Sequence, residues 1–228
     1  MGYTKRVNGF PFVPYGKESF DAGEMQKRSE WFYQWANTRR SCRDISDRPV
    51  QRGVIENIIL TGSTAPSGAH KQPWTFCAIS NPDLKKAIRK AAEEEEYKGY
   101  HGRMSEEWLQ DLAPIGTDWK KPFLETAPWL IVVFRRSFDI QPDGTKRQNY
   151  YVQESCGIAC GFLLAAIHHA GLVALTHTPS PMGFLSQLLK RPENEKPFLL
   201  IPVGYAAEEA WVPDLQRKGL EEISVFFE

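Results

Sequence analysis

The sequence predicts an α+β domain with helices on both faces of a mixed sheet, and three observations carry that prediction. WLIVVF, at 129–134, is a short continuous apolar run of the kind found in a strand covered on both faces. Segments of helical periodicity, longest at 20–36 and 150–170, are interspersed with β-prone runs at 74–79, 173–177 and 198–204. The chain has 228 residues, 42% hydrophobic and 25% charged, enough to bury one full core without disulfides or structural metal. A single domain over 1–228 is therefore expected, with 1–19 as an N-terminal arm.

Taken in order, the arm is polar and carries Pro and Gly. Residues 20–36 follow, with Met25, Trp31, Phe32 and Trp35 at helical spacing. A second helix over 49–60 ends at Thr61-Gly62, and the loop STAPSGAHKQP leads into a strand at 74–79. Asn81 caps a third helix from Pro82 to about residue 97. Residues 98–126 are amphipathic but weakly apolar, with Trp108, Trp119 and Phe123 as anchors, which suits a mobile helical flap. The helix at 150–170 carries Gly157, Ala159, Gly161, Ala165 and Ala166, small residues that let a second backbone approach. A short helix at 184–190 separates the last two core strands, and a β-prone run at 223–227 closes the chain.

Twenty-eight basic residues balance 28 acidic ones, so no general field draws nucleic acid or an acidic membrane, and any anion site is local. No apolar stretch reaches membrane-spanning length, and the opening MGYTKR lacks a signal or myristoylation pattern, so a cytoplasmic location is expected. Cys42, Cys77, Cys156 and Cys160 form no CxxC pair and read as buried thiols, and the five histidines show no ligand spacing, so no metal is expected. The fingerprints of dinucleotide folds, P-loops, zinc peptidases and common serine hydrolases are missing.

Three segments could carry chemistry. RRSCR puts Arg39, Arg40 and Arg43 around Ser41 and Cys42, a concentrated set of guanidinium forks for a phosphate, although a solvated basic turn has the same composition. Arg217-Lys218 could join it. In APSGAHKQPW, two prolines stiffen the loop, Gly68 permits close backbone approach and Ser67 offers a hydroxyl. Thr176-His177-Thr178-Pro179 stands where a buried strand ends, a place for polar groups to meet a ligand or simply to cap the strand.

Together, RRSCR, APSGAHKQPW and TPSP resemble the FMN-dependent nitroreductase superfamily. With His70 in the loop, EYKGY, and then DWKKPFLETAP, they resemble more narrowly its iodotyrosine deiodinase branch, over roughly residues 30–228. The resemblance implies a nitroreductase-like fold, an intertwined homodimer, and noncovalent FMN held by Arg39, Arg40, Ser41, Cys42, Arg43, Ser67, Gly68, Thr176, His177, Thr178 and Arg217. It implies that Thr178 donates to flavin N5 and favours one-electron chemistry. It assigns the amino-acid end of a halotyrosine to Glu96, Tyr100 and Lys121 on an active-site lid at about 95–121, and its phenolate to the Ala69 N–H. From the residues alone the EEEE run at 93–96 is a solvated helix face. The implied activity is reductive dehalogenation of mono- and diiodotyrosine, fed by an electron donor that the sequence does not identify, of which an NAD(P)H-linked reductase is one class. The competing readings are a nitro- or quinone reductase using two-electron transfer, and a non-catalytic flavin- or halotyrosine-binding protein.

Overall fold

A computed structural model describes residues 4–16 and 18–228, so the first three residues of the leader reading and residue 17 of the arm lie outside it. The chain divides into two compact units, 1–39 and 40–228.

In the first unit, β1 (Lys5–Val7) pairs antiparallel with β2 (Phe10–Phe12). Asn8 and Gly9 between them both have positive φ, 51° and 84°, the backbone of a two-residue hairpin turn that Asn-Gly adopts readily. The arm therefore contains a hairpin that the sequence reading did not anticipate. Helix α1 (Ala22–Asn37) starts where the Asp21 carboxylate accepts the Glu24 N–H at 2.9 Å.

The second unit holds α2 (Arg52–Ser63), β3 (Trp74–Ile79), α3 (Pro82–Lys98), α4 (Glu106–Leu112), α5 (Phe123–Thr126), β4 (Trp129–Arg136), β5 (Phe138–Ile140) and β6 (Lys146–Gln148). It continues with α6 (Val152–His169), β7 (Val173–Ala174), α7 (Gly183–Leu188), β8 (Glu195–Gly204) and α8 (Leu220–Ile223). The main sheet has the order β3-β4-β8-β7, and each of its ladders is antiparallel. This corrects the mixed sheet expected above: among the described residues, parallel pairing is confined to an isolated bridge between Ser41 and Ala174.

Strand β4 explains the continuous apolar run. Leu130, Val132 and Phe134 point to a core with Ile88 and Ala92 of α3, Leu124 of α5 and Leu185 of α7. Ile131 and Val133 point the other way, to Ile55 and Ile58 of α2 and Leu163 and Ile167 of α6. All five β4 residues are completely buried, so helices do cover both faces of the sheet.

Two further expectations are corrected, and one hairpin is added. The strand expected at 173–177 pairs only over Val173–Ala174, after which His177 alone bridges to Leu200. No strand forms at 223–227; the chain ends after α8 with Val225, Phe226 and Phe227 at 77%, 70% and 95% exposure. Their β propensity has no sheet edge to join within this chain. The β5–β6 hairpin was not foreseen, because its Asp143-Gly144 turn lies in a polar stretch without alternation.

Candidate active site

The Thr176-His177-Thr178 segment leaves the sheet just beyond β7. His177 exchanges two backbone hydrogen bonds with Leu200, 2.8 and 3.0 Å, which fixes the segment in extended form. Alternation then buries the His177 ring and leaves Thr176 and Thr178 exposed. The ring meets Phe123 edge-on at 5.8 Å. Opposite stand the C-terminal turn of α3, a π-helical turn at Gly99–Arg103, and α4. The cleft between them has a volume of about 420 Å³, within the usual range of small-molecule sites.

This cleft gathers residues predicted for two different roles. Arg43 and Thr176, His177 and Thr178, expected at the cofactor, line it together with Glu96, Tyr100 and Lys121, expected at the substrate. The Lys121 ammonium lies 3.4 Å from a Glu96 carboxylate oxygen, with the two side chains only 4% and 10% exposed. Lys121 also donates to the Thr117 hydroxyl at 3.2 Å and to the Asp118 carbonyl. Tyr100 donates its phenol to the Thr117 carbonyl at 3.2 Å. Burial raises the Glu96 carboxyl against the opposing pull of Lys121, and burial lowers the Lys121 ammonium against the pull of Glu96. Such a pair is held by mutual attraction at a high desolvation cost, and it gains if a ligand supplies a second charge to each partner.

Arg43 Nε and His177 Nε2 are buried without a hydrogen-bond partner. An unpartnered guanidinium nitrogen in a cleft is a donor that an anion could take up. Burial, reinforced by the Lys121 and Arg43 charges, pushes the His177 imidazole down to about 3, so it is neutral. The unfolded chain takes that proton near 6.5. Between these values the unfolded state binds more protons, so stability falls as pH falls, by at most about 1.4 kcal/mol per pH unit for one group. Chemical denaturation at about pH 7 and about pH 4.5 should show a shallower loss in His177→Gln than in wild type, and equal losses would contradict the assignment.

The other expected residues lie elsewhere. Arg39 falls in the first unit, where its N–H donates to the Ala36 carbonyl at 3.2 Å. The Arg40 guanidinium donates to the Pro213 carbonyl, and the Trp211 N–H donates to the Asp44 carboxylate at 2.8 Å, which draws the tail carrying the exposed Arg217 toward the RRSCR segment. Cys42 is buried and its thiol is raised by burial, while Ser41 is exposed on the bridge to Ala174.

Ser67, Gly68 and Ala69 do not line this cleft. Their loop packs on the start of α6: a Cβ on Gly68 would stand 2.9 Å from the Tyr151 ring and 3.1 Å from the Tyr150 carbonyl oxygen, so only glycine fits. Ala69, His70 and Gln72 have positive φ of 49°, 54° and 47°, an unusual density of left-handed non-glycine residues. Ser67 Oγ accepts the Gln72 N–H at 2.9 Å and Arg136 donates to the Gln72 carbonyl at 3.0 Å, and both bonds hold that conformation.

Sequence reasoning did not select Arg103, Met104 or Leu112, which complete the cleft beside Trp108. No local pattern marked them, because the chain leaves helical geometry at His101, Gly102 and Met104 before α4 begins. Among the described residues no group of three or more His, Cys, Asp and Glu could hold a metal, and no helix is long and apolar enough to cross a membrane.

The antiparallel sheet between two helical layers, with this cleft at a strand end, defines a nitroreductase-type domain, and the profile of the Nitroreductase family matches residues 36–205. An iodotyrosine deiodinase of Haliscomenobacter hydrossis is 63% identical over 216 residues, 95% of this chain and 97% of its own. An iodotyrosine deiodinase of Nematostella vectensis is 50% identical over 222 residues, 97% of this chain and 84% of its own. A crystal structure of oxidized iodotyrosine deiodinase bound to FMN and 3-iodo-L-tyrosine matches with a TM-score of 0.72 at 26% identity, covering 85% of this chain and 99% of that one. The chain belongs to the nitroreductase family, among its iodotyrosine deiodinases.

Proposed function

We propose that this chain is an FMN-dependent reductive dehalogenase of halotyrosines such as mono- and diiodotyrosine. The observation that carries the reading is the buried Glu96–Lys121 pair with Tyr100, facing Thr176 and Thr178 across one cleft. Carboxylate and ammonium complement the ammonium and carboxylate of a free amino acid, and the phenol of Tyr100 adds a hydrogen bond. The residues present fit flavin mononucleotide: Arg43 offers a buried unpaired donor for the phosphate, and the exposed threonine hydroxyls offer donors for a heterocycle. Arg40, Ser41, Cys42 and Arg217 would complete the phosphate and ribityl contacts, and Ser67 and Gly68 would lie against the ring system.

When bound, FMN supplies the reducing electrons, delivered singly. Overall, the carbon–halogen bond breaks, the ring carbon gains hydrogen and halide leaves, consuming two electrons and one proton. The residues of the chain bind and orient. Glu96, Tyr100 and Lys121 hold the amino-acid end, the Ala69 N–H holds the phenolate, α4 closes the cleft to water, and the Thr178 hydroxyl donates at the flavin edge. The electrons come from a donor outside this chain.

Arg43→Ala should weaken FMN binding by about 1.5–3 kcal/mol, the loss of a charged hydrogen bond, in a fluorescence titration. Unchanged affinity would remove Arg43 from the cofactor site. Iodide release from 3-iodo-L-tyrosine by the FMN-loaded protein under a chemical reductant tests the activity itself.

The working form is a homodimer. On α6, Gly157 and Gly161 face open space beside Ile158 and Phe162, which are 43% and 42% exposed. This apolar stripe lets a second copy of the helix approach closely. The 67–69 loop packs at the start of the same helix, so a dimer about α6 would carry each loop toward the partner's cleft and complete two sites at once. Gly161→Glu should lower dimerisation and flavin content together, and a wild-type monomer that retains FMN in sedimentation would overturn the dimer.

A further inference from the structure

Four consecutive glutamates end α3, and the fold gives each a different environment. Glu94 is exposed, Glu95 pairs with Lys98 at 2.8 Å and Arg103 at 2.9 Å, and Glu96 pairs with Lys121 in the cleft. Glu93 does something else. Its Oε1 accepts the backbone N–H of Lys121 at 2.7 Å and also the Arg89 Nε–H at 2.9 Å. Arg89 reaches on to the Glu125 carboxylate of α5 at 3.1 Å. Glu93 does not line the cleft, and its side chain is 19% exposed.

Helical spacing puts Glu93, Glu96 and Tyr100 on one face of α3 and its continuation. That face grips Lys121 at both ends, the main chain through Glu93 and the ammonium through Glu96. The Lys121 carbonyl is taken as well, by the Leu124 N–H at 3.1 Å as α5 begins. The backbone of Lys121 is therefore anchored, while α4 and the adjoining 3₁₀ turn, which precede it in the chain, bury no residue.

We propose that Glu93 is a positioning residue for halotyrosine recognition: it holds the Lys121 main chain in register with Glu96 and Tyr100, so that the ammonium can leave Glu96 for a substrate carboxylate without the segment moving. This rests on the function proposed above. Without Glu93 the Lys121 N–H has no acceptor, Arg89 loses one of its two carboxylates, and the distance between the groups facing the substrate's two charges is no longer set. The chemistry at the ring does not depend on that distance.

The test compares FMN-loaded wild type, Glu93→Ala and Glu93→Gln on iodotyrosine and on iodophenol, which lacks the amino-acid group. Glu93→Ala should raise KM for iodotyrosine about tenfold or more at nearly constant kcat, with FMN content and iodophenol kcat/KM at wild-type values. Glu93→Gln, whose amide oxygen accepts the same N–H, should return KM to within about threefold of wild type. Hydrogen exchange at the Lys121 amide should be slow in wild type and Glu93→Gln and fast in Glu93→Ala. An iodotyrosine KM in Glu93→Ala within about twofold of wild type overturns the positioning role, as does an equal loss on both substrates with loss of FMN, which marks a purely structural residue. Wild type that releases iodide from neither substrate overturns the function on which the proposal rests, and the wild-type and variant arms thus separate the two failures.

Discussion

Thr178→Ala is expected to lower dehalogenation of iodotyrosine by about a hundredfold or more, the effect of deleting one preorganised donor where charge develops. Reduction of a nitroaromatic by the same preparation should persist and rise relative to dehalogenation. The reason is geometric. The two backbone bonds between His177 and Leu200 fix the strand end, and alternation turns the flanking hydroxyls outward into the cleft. The Thr178 hydroxyl is thus aimed by the main chain, at no cost in ordering when the reaction begins. Thr178→Ser should recover much of the loss and the near-isosteric Thr178→Val should not. Iodide release and nitro-compound consumption, each normalised to bound FMN, check this. An unchanged ratio in Thr178→Ala would remove the hydroxyl from the mechanism.

Replacing iodotyrosine by iodophenol should cost about a hundredfold or more in kcat/KM, since two charged contacts are lost. Part of the loss should fall on kcat, because the amino-acid end also organises the lid. Helix α4 buries none of its residues and Trp108 is 51% exposed, so the α4 portion of the 95–121 lid derives little folding energy of its own. Contacts from Glu96, Tyr100 and Lys121 to the zwitterion would supply the remainder. Hydrogen exchange across 95–120, short of the anchored Lys121 amide, should be slow with iodotyrosine and fast with iodophenol. Equal turnover and equal protection would remove the three side chains from substrate recognition and lid closure.

Some of this was legible in the residues and some was not. Strand β3 was read to its exact ends, because a Gly/Pro loop precedes it and the helix-capping Asn81 follows. The two-sided burial of β4 followed from its unbroken apolar run. The Asn8-Gly9 hairpin was legible in principle and was hidden by reading the arm through its polarity. Strand direction was not legible, because helices cover both faces of an antiparallel sheet here and such burial is more common in parallel sheets. The tail at 223–227 has β propensity without a partner strand in its own chain, a fact that no local pattern contains.

The candidate site shows the same division. Spacing put Glu96 and Tyr100 on one helix face, but nothing local showed that Lys121 would return to that face from 25 residues further on. Nor could composition sort four consecutive glutamates into a backbone anchor, a solvated group, a lid-side pair and a buried carboxylate. That assignment is made by tertiary packing. Family resemblance selected Glu96, Tyr100 and Lys121 before any geometry was available. It did not select Glu93, whose bond runs to main chain and leaves no side-chain pattern to match.

In the proposed reaction this cleft directs flavin electrons to a carbon–halogen bond of a bound amino acid. Anaerobic incubation of the FMN-loaded protein with a chemical reductant and an equimolar mixture of 3-iodo-L-tyrosine and a nitroaromatic, with iodide, tyrosine and the reduced nitro product all quantified, tests it most directly. Stoichiometric iodide and tyrosine should appear ahead of nitro reduction. Consumption of the nitro compound with no iodide released would contradict it, and would make the protein a two-electron reductase that carries a halotyrosine-like cleft.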